Sequence, residues 1–164
     1  MQVEDEVAEK VRDSVQKLTE NEKVQKALAF MGADQEEIIA KQIELTLIPT
    51  PTYHEEKKAA RLLEMFKEEG LTDCHIDEYG NCVGIRRGTG GGKTTLVEAH
   101  MDTVFNLDTK LEIVREDGFI KCPGIVDDTR GCAVVLSTIR ALNAAGIETK
   151  GDIQFVGTVQ EEGT

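Results

Sequence analysis

The sequence predicts an α/β domain of three layers, with helices on both sides of a sheet. Three observations carry this. Apolar residues recur every three or four positions up to Gly70, then every second position among β-branched residues, then every three or four again from Thr129. The last helical stretch runs into one more strand. The 164 residues, 40% hydrophobic and 30% charged, suit one domain able to bury roughly 70% of its unfolded surface.

Val3, Val7, Val11, Val15 and Leu18 make a narrow apolar stripe on an acidic background, and Val24, Ala27, Leu28 and Met31 repeat the pattern before Gly32. Residues 1–33 therefore read as a helical extension packed on one side of the remainder, residues 34–164. Asp34 with Glu37 resembles a capped helix start, and that helix must stop by Pro49. Thr52-Tyr53-His54-Glu55 has the spacing of a capping box, in which hydroxyl and carboxylate satisfy amides at a helix start. Ala59, Leu62, Leu63 and Phe66 then supply the buried face, and Gly70 ends the helix.

Strands are predicted near 74–79, 81–87 and 94–99, with a hairpin around Asp117-Gly118. From Thr129, Cys132, Val135, Leu136, Ile139 and Leu142 line one helix face until Gly146. The closing strand, Asp152 to Val159, leads directly to Glu161-Glu162.

Charge narrows the function classes. Thirty-one acids against nineteen Lys plus Arg give a net charge of −12, the wrong balance for a phosphate-binding surface, so no nucleic-acid partner is expected. No apolar run has the length of a membrane span, and the acidic N-terminus lacks a signal-peptide core, which makes the cytoplasm the default. Cys74, Cys82, Cys122 and Cys132 form no Cys-x-x-Cys pair and read as reduced, mostly buried thiols.

Three acidic motifs then follow in order. Leu96-Val97-Glu98-Ala99 reads as a buried strand delivering His100 and Asp102, which point the same way at positions i and i+2. Such a carboxylate can accept the second ring N–H of a metal-bound His. Gly124-Ile125-Val126-Asp127-Asp128-Thr129-Arg130-Gly131 sets two carboxylates at a loop-to-helix boundary between glycines. A helix cap accounts for one Asp but not for both. Glu161-Glu162 follows a strand, at the sheet end where α/β proteins place their sites. Each motif alone is a solvated or capping group; together, at strand and loop ends, they suit metal-assisted hydrolysis. Gly88-Thr89-Gly90-Gly91-Gly92-Lys93-Thr94 mimics a phosphate loop, but its first required Gly falls on Arg87 and a strand follows, so a glycine-rich turn is expected.

The stretch from Ile39 to Gly163 resembles the N-terminal part of the co-catalytic di-zinc metallopeptidases that include aminoacylase, peptidase T and the glutamate carboxypeptidases. Glu98-Ala99-His100-Met101-Asp102-Thr103-Val104, Cys122-Pro123-Gly124-Ile125-Val126-Asp127-Asp128 and Glu161-Glu162-Gly163 match its signatures. The resemblance implies two Zn2+ ions, with Co2+ or Mn2+ as substitutes. It makes His100 a ligand of one zinc, Glu162 of the other, and Asp127 the bridge. Glu161 would be the general base, Asp102 the support of His100, and Asp128 would follow a strained cis bond. Substrates would be short peptides or, as the alternative, N-acyl amino acids; a non-catalytic module on the same fold is the other class. The family pattern also has a further acidic ligand, a distant His and an inserted lid domain used for homodimerisation. None of these is matched here, so the expectation is an N-terminal portion that binds zinc weakly and is inactive alone.

Overall fold

The computed structural model describes residues 2–163, and of residues 2–6 the backbone only. The valine stripe's Val3 side chain lies outside the described residues. Four helices come first: α1 (Gln2–Thr19), α2 (Glu22–Ala33), α3 (Gln35–Thr46) and α4 (Glu56–Glu68). Strands β1 (Thr72–Ile76), β2 (Cys82–Arg86) and β3 (Thr95–His100) follow, then the hairpin β4 (Val114–Glu116) and β5 (Phe119–Lys121). Helix α5 (Thr129–Ala145) and strand β6 (Ile153–Thr158) complete the order.

The main sheet runs β1-β2-β6-β3. β6 is antiparallel to β2 and parallel to β3, with α5 as the crossover between β3 and β6. Register places Cys82 and Ala99 on either side of Gly157, and Gly84 and Val97 on either side of Phe155. These residues share one face. Against it pack Leu62, Met65 and Phe66 of α4 and Cys132, Leu136 and Ile139 of α5 in a single core. Gly157 and Gly84 leave room for this packing: a Cβ would lie 2.5 Å from a Leu62 methyl and 2.8 Å from a Leu71 methyl respectively. The other face carries Leu96 and Glu98, both exposed. The described residues thus form a sheet and one helical layer of the α/β/α architecture, in the incomplete form expected.

Several local expectations are corrected. β1 stops at Ile76, not residue 79, because the Asp77 carboxylate accepts the N–H groups of Tyr79 and Asn81, both at 2.9 Å, and closes a turn. Asp34 precedes α3 without capping it. Its carboxylate instead takes a bidentate contact from Arg140 of α5, at 2.6 and 2.7 Å. The capping box at Thr52–Glu55 does not form either, since α4 begins without a side-chain cap. All four cysteines are free. Cys82 and Cys132 are buried, and burial pushes both thiols up to about 12; Cys74 and Cys122 are only half-buried. The glycine-rich segment opens no helix: Thr89 and Gly90 donate to the carbonyls of Thr149 and Lys150, and β3 follows.

Candidate metal centre

Three elements end at one place. β3 and β6 are parallel neighbours, so their C-terminal ends present His100 and the Gln160–Glu162 turn on the same side. The N-terminus of α5 brings Asp127 and Asp128 to the same edge. Buried Gln42 of α3 seats that loop, donating to the Ile125 carbonyl at 2.7 Å and accepting from Arg130 at 3.0 Å.

Asp128 caps α5. Its Oδ1 accepts the Gly131 N–H at 2.8 Å, and its Oδ2 accepts the His100 backbone N–H at 3.3 Å. Gly131 is needed for this, because a Cβ there would sit 2.2 Å from the Asp128 carboxylate. The Asp127–Asp128 peptide bond is cis. With Asp128 turned inward, Asp127 points outward and its side chain is 76% exposed.

His100 is held at three points. Its carbonyl accepts from the Cys132 thiol, and its Nδ1 lies 3.2 Å from the Asp102 carbonyl and 3.4 Å from Asp102 Oδ1. Both partners are acceptors, so Nδ1 carries the proton. Nε2 then faces outward, 3.1 Å from Asp127 Oδ1 and 3.9 Å from Glu161 Oε2. Burial opposes charging the ring, but Asp127 at Nε2, with Asp128, Asp102 and Glu161 around it, outweighs burial and raises the pKa above the ordinary value.

Asp102 does more than orient His100. It is fully buried; its Oδ1 accepts the Glu161 N–H at 3.1 Å, and its Oδ2 accepts the Glu162 N–H at 3.0 Å and the Thr52 hydroxyl at 2.8 Å. One carboxylate thus ties the first motif to the third. Glu55 accepts the preceding amide, that of Gln160, at 3.1 Å. Thr52 and Glu55 are the ends of the supposed capping box, diverted into the site.

His100, Asp127 and Glu162 each offer a ligand atom, all within 4.8 Å of one another. This donor set fits a divalent cation such as zinc, which takes imidazole nitrogen and carboxylate oxygen. A cation also fits the Nε2–Asp127 contact. With Nδ1 protonated, a neutral imidazole sets a lone pair against a carboxylate oxygen, and only a cation between them, proton or metal, makes that favourable. Of the sequence-predicted site residues, the structure therefore brings together all five: His100, Asp102, Asp127, Glu161 and Glu162.

Residues 96–164 match the model of peptidase family M20/M25/M40. That segment, which holds all three acidic motifs, is similar to this family. It is 32% identical over 119 residues to a provisionally named LysW-lysine/LysW-ornithine hydrolase of Thermococcus kodakarensis, covering 73% of this chain and 31% of that protein. Carboxypeptidase G2 of a Pseudomonas strain is 37% identical over 84 residues, 50% of this chain and 20% of its own length. Among solved structures, aminopeptidase PepT from Bacillus cereus superposes with a TM-score of 0.69 at 27% identity, covering 79% of this chain and 37% of that one. The chain spans about a third of the length of the first curated relatives it matches. Zinc is the metal that this family implies for such a donor set.

Proposed function

We propose that this chain supplies the N-terminal part of a zinc-dependent amide-hydrolysing site acting on short peptides. The observation carrying it is the convergence of His100, Asp127 and Glu162 from three separate elements, with Glu161 beside them. His100 would hold one zinc and Glu162 the other, with the outward carboxylate of Asp127 as the shared ligand. When bound, the ions polarise the amide carbonyl and lower the pKa of water toward about 7.

The remaining work falls to this chain's residues. Asp102 keeps the His100 proton on Nδ1, which leaves Nε2 free as a ligand. Glu161, with its side chain 61% exposed, takes the proton from the attacking water and returns it to the departing amine. Short peptides are preferred to N-acyl amino acids because an aminopeptidase and a Staphylococcus aureus tripeptidase are among the structural relatives. A further acidic ligand and a further His, which the resemblance requires, are not matched in these residues, so the isolated chain should bind zinc weakly and turn over peptides slowly.

Calorimetric titration of the 164-residue chain with Zn2+ tests this reading. Binding should be present and should disappear in His100→Ala and Asp127→Ala. Heats unchanged by those substitutions would discard the metal site. Rapid hydrolysis of di- and tripeptides by the isolated chain with zinc would discard the partial-site reading, and Glu161→Gln should cost whatever turnover exists about 10²- to 10⁴-fold.

A further inference from the structure

Beneath the outward-facing carboxylates lie three charged side chains that the fold buries: Asp102, Glu55 and Lys58, which are 0%, 5% and 1% exposed. Charged groups are almost never this buried unless paired. Asp102 is explained by its contacts with His100 and the Glu161-Glu162 turn. Glu55 and Lys58 belong to no metal motif and cap no helix.

Glu55 Oε1 accepts two amides, Tyr53 N–H at 3.0 Å and Gln160 N–H at 3.1 Å. Asp102 takes the next two, those of Glu161 and Glu162. Three consecutive N–H groups are therefore held from below by two buried carboxylates. The turn needs such holding, because Gln160 sits at φ 62°, in a region that residues other than glycine seldom occupy.

Lys58 stands at the centre of this arrangement. Its Nζ donates to the Met101 carbonyl at 2.9 Å, and Thr50 donates to the same oxygen at 2.9 Å. Met101 is the residue between His100 and Asp102. Burial disfavours the Lys58 charge, while Cys132, Asp102 and Glu55 favour it. Two buried carboxylates without a cation would be left uncompensated, the costly condition for a buried ionic cluster.

We propose that Lys58 and Glu55 form a positioning pair for the metal centre. Lys58 fixes the His100–Asp102 segment through the Met101 carbonyl and balances the charge of Glu55 and Asp102. Glu55 fixes the Gln160–Glu162 turn, and together they set the distance between the His100 side and the Glu162 side of the site. Both act through neighbours. The proposal rests on the hydrolase reading above.

The test is titration of the full 164-residue chain with Co2+ alone, followed by calorimetry and by the visible d–d absorption of the bound ion. Lys58→Met removes the charge and keeps most of the volume; Glu55→Gln keeps an acceptor oxygen and removes the charge. Each should weaken Co2+ binding, by about 10- to 100-fold for Lys58→Met, and shift the d–d bands. The double variant, in which the net charge of the three buried groups returns to the wild-type value, should recover part of the affinity. A merely structural role would lower stability but leave the folded protein's affinity and spectrum at wild-type values, and that result overturns the proposal. Should Lys58→Met not fold, Glu55→Gln decides by the same criterion. If the wild-type chain binds no Co2+, or His100→Ala binds it equally well, the metal reading falls and the pair falls with it. If His100→Ala loses binding while Lys58→Met and Glu55→Gln do not, the positioning role alone falls.

Discussion

Helices α1 and α5 have nearly the same length, 18 and 17 residues, and both announce themselves by apolar residues at helical spacing. Their fates differ. α5 sinks Cys132, Val135, Leu136 and Ile139 into the core, pairs Arg140 with Asp34 and Glu69, and ends at a left-handed Gly146. Asp127 and Asp128, just before its first turn, also join the candidate metal site. α1 leaves Val7, Val11, Val15 and Leu18 more than half exposed. Between them lies α2, whose Ala27 packs on Ala141 and Ala145 of α5. Periodicity thus reports that a face is apolar; what covers the face depends on residues far away in sequence.

The sharpest way to break this contrast is in the middle of α5. Leu136 is fully buried among α4, α5 and the sheet. Leu136→Ala should cost about 2–5 kcal/mol, the sum of lost transfer energy and the cavity left behind. Urea unfolding monitored by circular dichroism checks it. A loss under about 1 kcal/mol would mean that α5 is not the element organising the core.

A smaller effect is expected at the start of the same helix. Asp128→Ala removes the acceptor for Gly131 N–H and for His100 N–H. The cap alone should cost about 0.5–2 kcal/mol. Zn2+ affinity should fall as well, because His100 and Asp127 lose their common support. Asp128→Asn, which keeps an acceptor oxygen, should recover most of the stability. If Asn and Ala are equally destabilising, the capping account of this residue is wrong.

The same contrast explains what was legible beforehand. His100, Asp102, Asp127, Glu161 and Glu162 could be grouped from sequence because each lies in a short motif at the end of an element, and parallel pairing of β3 with β6 makes those ends adjacent. Thr52 and Glu55 could not, since their spacing is also that of a capping box and only the fold shows the Thr52 hydroxyl reaching Asp102. Lys58 sits beside the apolar stripe of Ala59 and Leu62, where a lysine is usually solvated. Gln42 bridges Ile125 and Arg130, more than 80 positions away, and local pattern carries no trace of such a partner. The signal available for these residues was the reverse of a motif: polar side chains on an otherwise buried helix face.

The smallest effect belongs to α1. Val11 and Val15 are 56% and 53% exposed, so removing their methyl groups neither opens a cavity nor returns buried surface to water. Val11→Ala and Val15→Ala should each change stability by less than about 0.5 kcal/mol, the range of ordinary surface substitutions, and alanine's higher helix propensity offsets part of even that. Urea midpoints at two protein concentrations test the point. A loss above about 1 kcal/mol would require the stripe to be covered in solution. If that loss grew with protein concentration, the cover would be another copy of the chain, because only association makes apparent stability concentration-dependent. If it did not, the cover would be intramolecular, and α1 would resemble α5 in kind after all.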